Sequence, residues 1–220
     1  RRVIGQKGTA NAVFASAPSQ EEFLQGLAAA TGIDWSRVRA FHLDEYVGLD
    51  PHAPQAFGQF LRDHLFDRVK PGEVHYIDGM AADPRQEIER YTGLLRAHAL
   101  DLSCIGIGEN GHIAFNEPHV ADFDDPALIK PVDLDETSRN QQVHDGCFAR
   151  LDEVPTLALT LTVPAIVSAP RVLCMVPGPT KARAVQATLR GPITTDCPAS
   201  ILQQHPNATL YLDEQSASLL

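Results

Sequence analysis

Short apolar runs alternate with amphipathic segments along most of the chain, and this alternation constrains the fold more than any other feature. The apolar runs predict strands at Asn11–Ala15, Val38–Leu43, Val74–Ile77, Leu100–Ile107, Arg171–Val176 and Ala208–Leu212. The segments between them predict helices at Ser19–Ala30, Pro54–Val69, Pro84–His98, Ala165–Ala169, Thr180–Leu189 and Ser200–His205. Such an order is typical of an α/β fold whose mainly parallel sheet is covered by helices on both faces.

The chain has 220 residues, a length that suits one domain with a sizeable core. We find no repeat, linker or low-complexity segment, so we expect residues 1–220 to form a single domain. The first residue is Arg1 rather than Met, and we expect a short N-terminal segment to precede it in the whole protein.

Composition excludes several kinds of partner. The net charge of −10 argues against nucleic acid, because phosphate backbones require clustered Lys and Arg. No apolar stretch approaches the ~20 residues that a membrane helix needs. The four cysteines form no CxxC pair, a pattern that suits a reducing compartment, so we expect a cytoplasmic protein. The sequence leaves a homo-oligomer open.

Polar and glycine-rich segments follow several of the predicted strands. They cover residues 16–19, 44–46, 106–117 and 177–181. Ligands of open parallel sheets bind beyond the carboxyl ends of the strands, so we expect these four segments to meet at one site.

Asp44 follows the apolar run that begins at Val38. A carboxylate in a partly desolvated cleft has a raised pKa and can act as a general base. The alternative is a solvated strand end before the turn at Gly48, and position alone does not decide between the two.

The loop after Leu100–Ile107 contains Gly108, Asn110, His112 and Glu117. Glycine lets backbone approach a ligand closely, and histidine exchanges protons near neutral pH. Glu117 can orient His112 or compensate its charge, and Asn110 can hydrogen-bond it. We therefore interpret the loop as functional, although a histidine beside apolar residues is usually structural. A dinucleotide-binding Gly-x-Gly-x-x-Gly motif fits poorly, because Pro118 interrupts the helix that should follow.

Two further segments can hold an anion. Ser16-Ala17-Pro18-Ser19 precedes a predicted helix, whose N-terminus favours negative charge, although Ser19 can equally be a simple N-cap. Lys181 opens another predicted helix, where a cation is unfavourable unless it faces a phosphate; otherwise it is a surface lysine. No metal-ligand spacing stands out among the nine histidines, so we expect no required metal.

Taken together, these residues resemble the glucosamine-6-phosphate deaminase (isomerase) family over nearly the whole chain. The matching motifs are Phe-His-Leu-Asp-Glu-Tyr-Val-Gly-Leu at 41–49, Gly-His-Ile-Ala-Phe-Asn-Glu-Pro at 111–118, Gly-Pro-Thr-Lys-Ala at 178–182 and Ser-Ile-Leu-Gln-Gln-His-Pro at 200–206. The related 6-phosphogluconolactonases usually carry Arg after Asp-Glu and lack Phe-Asn-Glu-Pro, so Tyr46 and residues 116–118 favour the deaminases.

The resemblance implies a Rossmann-like three-layer α/β/α sandwich and conversion of glucosamine 6-phosphate and water to fructose 6-phosphate and ammonia, without a cofactor. By the same resemblance, His112 opens the sugar ring, Glu117 and Asn110 support it, and Asp44 moves a proton from C2 to C1. The residues expected to bind the substrate or its phosphate are Ser16, Ala17, Ser19, Gln20, Gly108 and Lys181.

The sequence departs from the family pattern in three places. Asn110 stands where better-known members have Asp, and it adds no negative charge beside His112. The family's phosphate loop, Thr/Ser-Gly-x-Thr/Ser-Pro, aligns with residues 16–20, where Pro18 has no N–H to donate. Residues 139–146 lack a later phosphate-binding arginine of the family, a role that Arg139 does not simply inherit. The alternatives are a 6-phosphogluconolactonase or another sugar-phosphate isomerase, and a non-catalytic sugar-phosphate sensor.

Overall fold

The computed structural model describes residues 1–144 and 146–220, so one residue of the divergent segment 139–146, Asp145, lies outside the described residues. The strands are β1 Ala10–Phe14, β2 Val38–His42, β3 Asp44–Tyr46, β4 Glu73–His75, β5 Leu102–Ile105, β6 Ile129–Asp133, β7 Leu157–Leu161, β8 Val172–Val176 and β9 Ala208–Leu212. The α-helices are α1 Arg2–Lys7, α2 Glu21–Ala29, α3 Phe57–Leu61, α4 Asp67–Val69, α5 Pro84–Ala97, α6 Glu136–His144, α7 Val163–Val167 and α8 Ala182–Arg190.

Six strands form a parallel sheet in the order β4-β2-β1-β5-β8-β9. Alternate residues of a strand point to opposite faces, and β1 shows this directly. Val13 belongs to a core cluster that includes Tyr91 of α5 and Ile166 of α7. Its neighbour Phe14 belongs to a second cluster on the other face, with Leu24 of α2. The predicted α/β/α sandwich with a mainly parallel sheet is therefore confirmed.

A second, antiparallel sheet has the order β3-β7-β6 and was not predicted. Sequence reasoning assigned no element between residues 119 and 164. It also placed Asp44 at the end of a strand, whereas Asp44 is the first residue of β3 and pairs with Thr160 of β7. Only Leu43 separates β2 from β3, so the chain passes from the large sheet to the small one immediately before Asp44.

The predicted helices differ from the structure mainly at their ends. Ser19 was expected as an N-cap, but it lies in a 3₁₀ turn, Pro18–Gln20, and the N-cap of α2 is Gln20. The helix predicted over Pro54–Val69 begins at Phe57 and includes a π-helical turn, Arg62–Phe66. Residues Pro198–Gln204 form a 3₁₀ helix where a short helix was predicted. Helices α1 and α6 were not predicted.

The parallel sheet directs its polar loops to one edge. Ser16 follows β1, Gly106 follows β5 and Pro177 follows β8, all at the carboxyl ends of neighbouring strands. None of the helices in the described ranges has both the length and the apolar character needed to cross a membrane.

Candidate active site

A cavity of about 250 Å³ opens at this edge of the parallel sheet. Eight of the ten residues predicted for the site line it: Ser16, Ala17, Ser19, Gln20, Asp44, Gly108, His112 and Lys181. The other two, Asn110 and Glu117, contact the side chain of His112. The four segments expected to meet therefore do meet, although they are spread over most of the chain.

Asp44 lies in the cavity wall, and only 7% of its surface is exposed. Burial is the main cause that raises its pKa well above the usual aspartate range, and the neighbouring charge of Glu45 adds to the effect. A carboxylate of this kind is a stronger base than one in water, because its ionised form is poorly solvated.

Glu45, the next residue, has a structural position. Its Oε1 accepts hydrogen bonds from the backbone N–H groups of Tyr46 and Phe57, and its Oε2 accepts one from Gly58, at 2.9–3.1 Å. Phe57 and Gly58 open α3, so Glu45 supplies acceptors to unpaired N–H groups of that helix. Burial raises the pKa of Glu45, and these three hydrogen bonds oppose the rise. Asp44 thus lines the cavity, whereas its neighbour Glu45 anchors α3.

Two side chains hold His112 in place, and both contact the same nitrogen of its ring. Its Nδ1 lies 2.8 Å from Oε1 of Glu117 and 2.9 Å from Oδ1 of Asn110. The Nδ2 of Asn110 donates to the other Glu117 oxygen, Oε2, at 2.6 Å. Both neighbours of Nδ1 are acceptors, so Nδ1 carries the proton and Nε2 is the nitrogen left for a ligand.

Glu117 is buried, and its charge is balanced within this network. Burial alone would raise its pKa, but the hydrogen bond and the positive charge of His112 outweigh burial and lower it. Glu117 is therefore ionised at neutral pH. The amide of Asn110 accepts from His112 as a carboxylate would, while its NH₂ group meets Glu117 without repulsion.

Backbone geometry in the loop makes room for the His112 ring. A Cβ atom at Gly108 would lie 2.0–2.4 Å from three ring atoms of His112, so only glycine fits there. Ala114 has φ of +52°, a strained conformation for a residue with a side chain, and it lines the cavity. The helix required by a dinucleotide-binding motif does not follow the loop; residues 113–116 form an isolated antiparallel bridge instead.

Hydroxyl, amide and ammonium groups line the wall between β1 and α8. Gln20 donates its Nε2 to the carbonyl of Met175 at 3.1 Å and to Oγ of Ser19 at 3.2 Å. Oγ of Ser16 and Oε1 of Gln20 are buried and have no hydrogen-bond partner among the described residues. Unpartnered buried polar atoms are rare and costly, so this wall is suited to a polar ligand. Lys181, only 9% exposed, brings a positive charge to it.

Several residues of the cavity were missed by sequence reasoning. They are Phe57, Gln141, Gln142 and Cys147. Gln142 belongs to α6, and its Oε1 accepts a hydrogen bond from the Tyr46 hydroxyl at 2.9 Å. Tyr46, which favours the deaminases over the 6-phosphogluconolactonases in the sequence, thus connects α6 to β3. No periodicity in the polar sequence of α6 indicated this contact.

Arg139 does not reach the cavity. Its guanidinium donates to the backbone carbonyls of Leu151 and Val154, and it is absent from the cavity wall. This position agrees with the expectation that Arg139 does not take over the role of a phosphate-binding arginine. Within residues 1–144 and 146–220, one group of His, Cys, Asp and Glu side chains is close enough together to hold a metal ion, namely Glu73, His75 and His98. None of these three residues lines the cavity.

Comparisons with known proteins identify the family of the chain. The family model of glucosamine-6-phosphate isomerases/6-phosphogluconolactonase matches residues 1–211. Glucosamine-6-phosphate deaminase of Exiguobacterium sibiricum is 43% identical over 188 residues, which cover 86% of this chain and 73% of that protein. Glucosamine-6-phosphate deaminase of Listeria innocua is 36% identical over 213 residues, which cover 97% of this chain and 89% of the relative.

Solved structures give the same result for the fold. A monomeric glucosamine-6-phosphate deaminase matches with a TM-score of 0.90 and 32% identity, covering 99% of this chain and 91% of its own. A 6-phosphogluconolactonase from Thermotoga maritima matches with a TM-score of 0.76 and 21% identity, covering 96% of this chain and 88% of its own. At that identity, the second likeness speaks for the fold alone.

Proposed function

Since the chain belongs to the glucosamine-6-phosphate isomerase/6-phosphogluconolactonase family, we propose that it is a glucosamine-6-phosphate deaminase. It converts glucosamine 6-phosphate and water to fructose 6-phosphate and ammonia. The observation that carries the proposal is the approach of two different proton-transfer groups to one cavity, the buried Asp44 and the His112–Glu117–Asn110 network.

His112 opens the pyranose ring in this proposal. Its Nε2 takes the proton from the O1 hydroxyl and delivers one to O5, and the ring C1–O5 bond breaks as the aldehyde forms. The imidazolium that exists between these two events is stabilised by Glu117, which lies 2.8 Å from Nδ1. Asn110 keeps the ring orientation by accepting from Nδ1 and from the backbone N–H of His112. Such positioned acid–base catalysis contributes about 10²–10⁴-fold to a rate.

Asp44 then acts on the open-chain sugar. It takes the proton from C2, which gives an enolamine, and returns the proton to C1, which gives the imine of fructose 6-phosphate. Water adds to this imine, and ammonia leaves. The raised pKa of Asp44 suits both the removal of the proton from C2 and its return to C1, because the group must accept a proton and release it again near neutral pH.

The phosphate is anchored on the wall between β1 and α8. Ser16 and Ser19 offer hydroxyl groups and Lys181 a positive charge, while Ala17, Gln20 and Gly108 shape the wall around them. Ser19 Oγ accepts a hydrogen bond from Gln20, which leaves its own hydrogen to donate to a phosphate oxygen. Backbone N–H groups contribute less than in the family pattern, because Pro18 has none to give.

The test is turnover by purified protein, followed as release of ammonia and of fructose 6-phosphate. His112→Ala should remove ring opening while largely preserving substrate binding, so kcat falls far more than KM rises. Equal losses of binding and activity would show that the role assigned to His112 is wrong. Absence of turnover by the unmodified protein would overturn the proposal as a whole.

A panel of ligands separates the deaminase from the alternatives. Hydrolysis of 6-phosphogluconolactone, or isomerisation of a sugar phosphate without an amino group, would identify another enzyme of the same fold. Thermal stabilisation by glucosamine 6-phosphate without any turnover would identify a sensor. The altered loop at residues 16–20 is the reason to run the panel, because it forms the phosphate end of the cavity.

We also propose that residues 1–220 act as one domain in the cytoplasm, with a homo-oligomer as an open alternative to a monomer. The four cysteines are free thiols, which suits a reducing compartment. Light scattering of the purified protein measures the oligomeric state directly.

A further inference from the structure

A second group of chemically active side chains lies outside the cavity, at the edge strand β4. Glu73 and His75 are the two ends of β4, and they share one face of it because they are two residues apart. His98 follows the last residue of α5, the helix that crosses from β4 to β5. One ligand atom from each of the three side chains lies within 4.8 Å of the other two.

The geometry within this group is unusual for a simple salt bridge. His75 Nε2 lies 3.2 Å from Glu73 Oε2, yet it is buried and makes no hydrogen bond among the described residues. The two atoms are therefore close but not aligned with each other, as two ligands of one ion would be. The rings of His75 and His98 are nearly parallel, at 8°, with centroids 6.0 Å apart.

Glu73 is held in place from the opposite side. Arg39 donates to both of its oxygens at 2.8 Å, and Arg39 itself donates to Asn11 Oδ1 at 2.9 Å. A carboxylate has about four acceptor positions, and two remain after a bidentate pair with arginine. Arg39 thus fixes the position of the Glu73 carboxylate.

We propose that Glu73, His75 and His98 bind a divalent late transition-metal ion, of which Zn²⁺ is the representative. Two imidazoles and one carboxylate are a ligand set that zinc accepts, with water in the fourth position. Zinc–nitrogen bonds of about 2.0–2.1 Å require ligand atoms about 3.4 Å apart, so the most distant pair closes by at most roughly 1.4 Å on binding.

The consequence of binding is a cross-link between β4 and the end of α5. The site has no part in the proposed deamination, since none of its residues lines the cavity. It acts on the stability of the sheet edge, by binding the folded chain in preference to the unfolded one.

The experiment is a titration of untagged, chelator-treated full-length protein with Zn²⁺ in a calorimeter. We expect one Zn²⁺ per chain, together with a melting temperature that rises with Zn²⁺ and does not rise with Mg²⁺, which prefers oxygen ligands. His98→Gln should weaken Zn²⁺ binding at least tenfold. The matched control is His119→Gln, because His119 is an exposed histidine that faces a carboxylate, Asp135, at 3.7 Å; its binding should equal that of the unmodified protein.

Two results would overturn the proposal. One is the absence of stoichiometric Zn²⁺ binding by the unmodified protein. The other is equal Zn²⁺ affinity of the unmodified protein and of His98→Gln. If His98→Gln fails to fold, as judged by circular dichroism, His75→Gln replaces it in the same comparison, and the same two results decide.

Discussion

Asp44, the proposed base, carries a cost to the folded state. Its folded-state pKa is raised mainly by burial, whereas in the unfolded chain the aspartate pKa is about 3.9. The folded protein therefore holds this proton to higher pH than the unfolded chain does. Stability falls as pH rises between the two pKa values and is constant above the folded-state value.

Asp44→Asn removes this charge, and we expect opposite effects on activity and stability. The rate of deamination should fall about 10²–10⁴-fold, because the base is lost. The free energy of unfolding at pH 7.5 should rise, and the gain should shrink as pH is lowered toward 4. Urea unfolding at several pH values, alongside kcat, measures both effects. A variant that is less stable than the unmodified protein at pH 7.5 would contradict the effect assigned to burial.

Gly108 is the residue on which the orientation of His112 depends. In Gly108→Ala the new Cβ would lie 2.0–2.4 Å from the His112 ring, so the ring must leave the cavity wall. We expect kcat to fall at least about tenfold and stability to fall by about 1–3 kcal/mol, as overpacking usually costs.

Gly93→Ala is the matched control for this substitution. Gly93 is an exposed position of α5, and a Cβ there has no atom within 4 Å. This variant should keep full activity and gain about 0.5–1 kcal/mol of stability from helix propensity. Equal activity of the two variants would show that His112 tolerates displacement.

At the scale of elements, β7 connects the two groups that we propose transfer protons, Asp44 and His112. Asp44 pairs with Thr160 across β3 and β7. The loop after His112 is fastened to the same strand, since Phe115 N–H donates to Thr160 Oγ1 at 3.2 Å and Asn116 Nδ2 donates to the carbonyl of Leu161 at 2.8 Å. The small sheet therefore sets the distance between Asp44 and the loop that carries His112.

Thr160→Val tests this connection, because valine keeps the shape and loses the hydroxyl. The buried N–H of Phe115 would lose its acceptor, which costs about 1–3 kcal/mol. We expect kcat to fall while KM changes little, since the phosphate wall is untouched. Thr209→Val, in the edge strand β9, is the control and should leave kcat unchanged. Steady-state kinetics of both variants gives the answer, and a change confined to KM would count against the role of β7.

The large sheet was predictable and the small one was not. The inner strands of the large sheet, β1, β2, β5 and β8, are mostly buried, so each appears as an apolar run. Val38–His42 matches its prediction within one residue. Strand β3 has three residues and reads as a continuation of β2. Strand β6 contains Pro131, which argues against a strand but is tolerated at the edge of a sheet. The apolar run Leu157–Leu161 carried a strand signal, but its partners are remote in sequence.

The candidate site divides in the same way. Asp44, His112 and Glu117 stand in motifs, so their proximity could be expected from the order of strands and loops. The position of Glu45 at the start of α3 and the contact of Tyr46 with α6 depend on tertiary packing. Neither leaves a periodic pattern in the sequence, and both were therefore missed.

At the scale of the whole molecule, the contacts between the two sheets determine whether the sheets unfold together. Phe115 and Thr160 join the active-site loop to the small sheet, and β2 runs into β3 with one residue between them. We expect one cooperative transition. Fluorescence of Trp35, the only tryptophan, reports on the large sheet, whereas far-UV circular dichroism reports on both. Their melting midpoints should coincide, and two separate transitions would contradict the prediction of a single domain.

Each of the two sheets holds a different part of the cavity, and this separation has an evolutionary consequence. Asp44 and the His112 loop are fastened to the small sheet, while Ser16 and Lys181 follow strands of the large one. Mutations at the proposed phosphate end of the cavity can therefore accumulate without moving the groups proposed to transfer protons. Drift at residues 16–20 beside an intact Asp44, His112 and Glu117 is the pattern expected of such a scaffold. An enzyme built in this way can change its substrate during evolution and keep the same type of reaction.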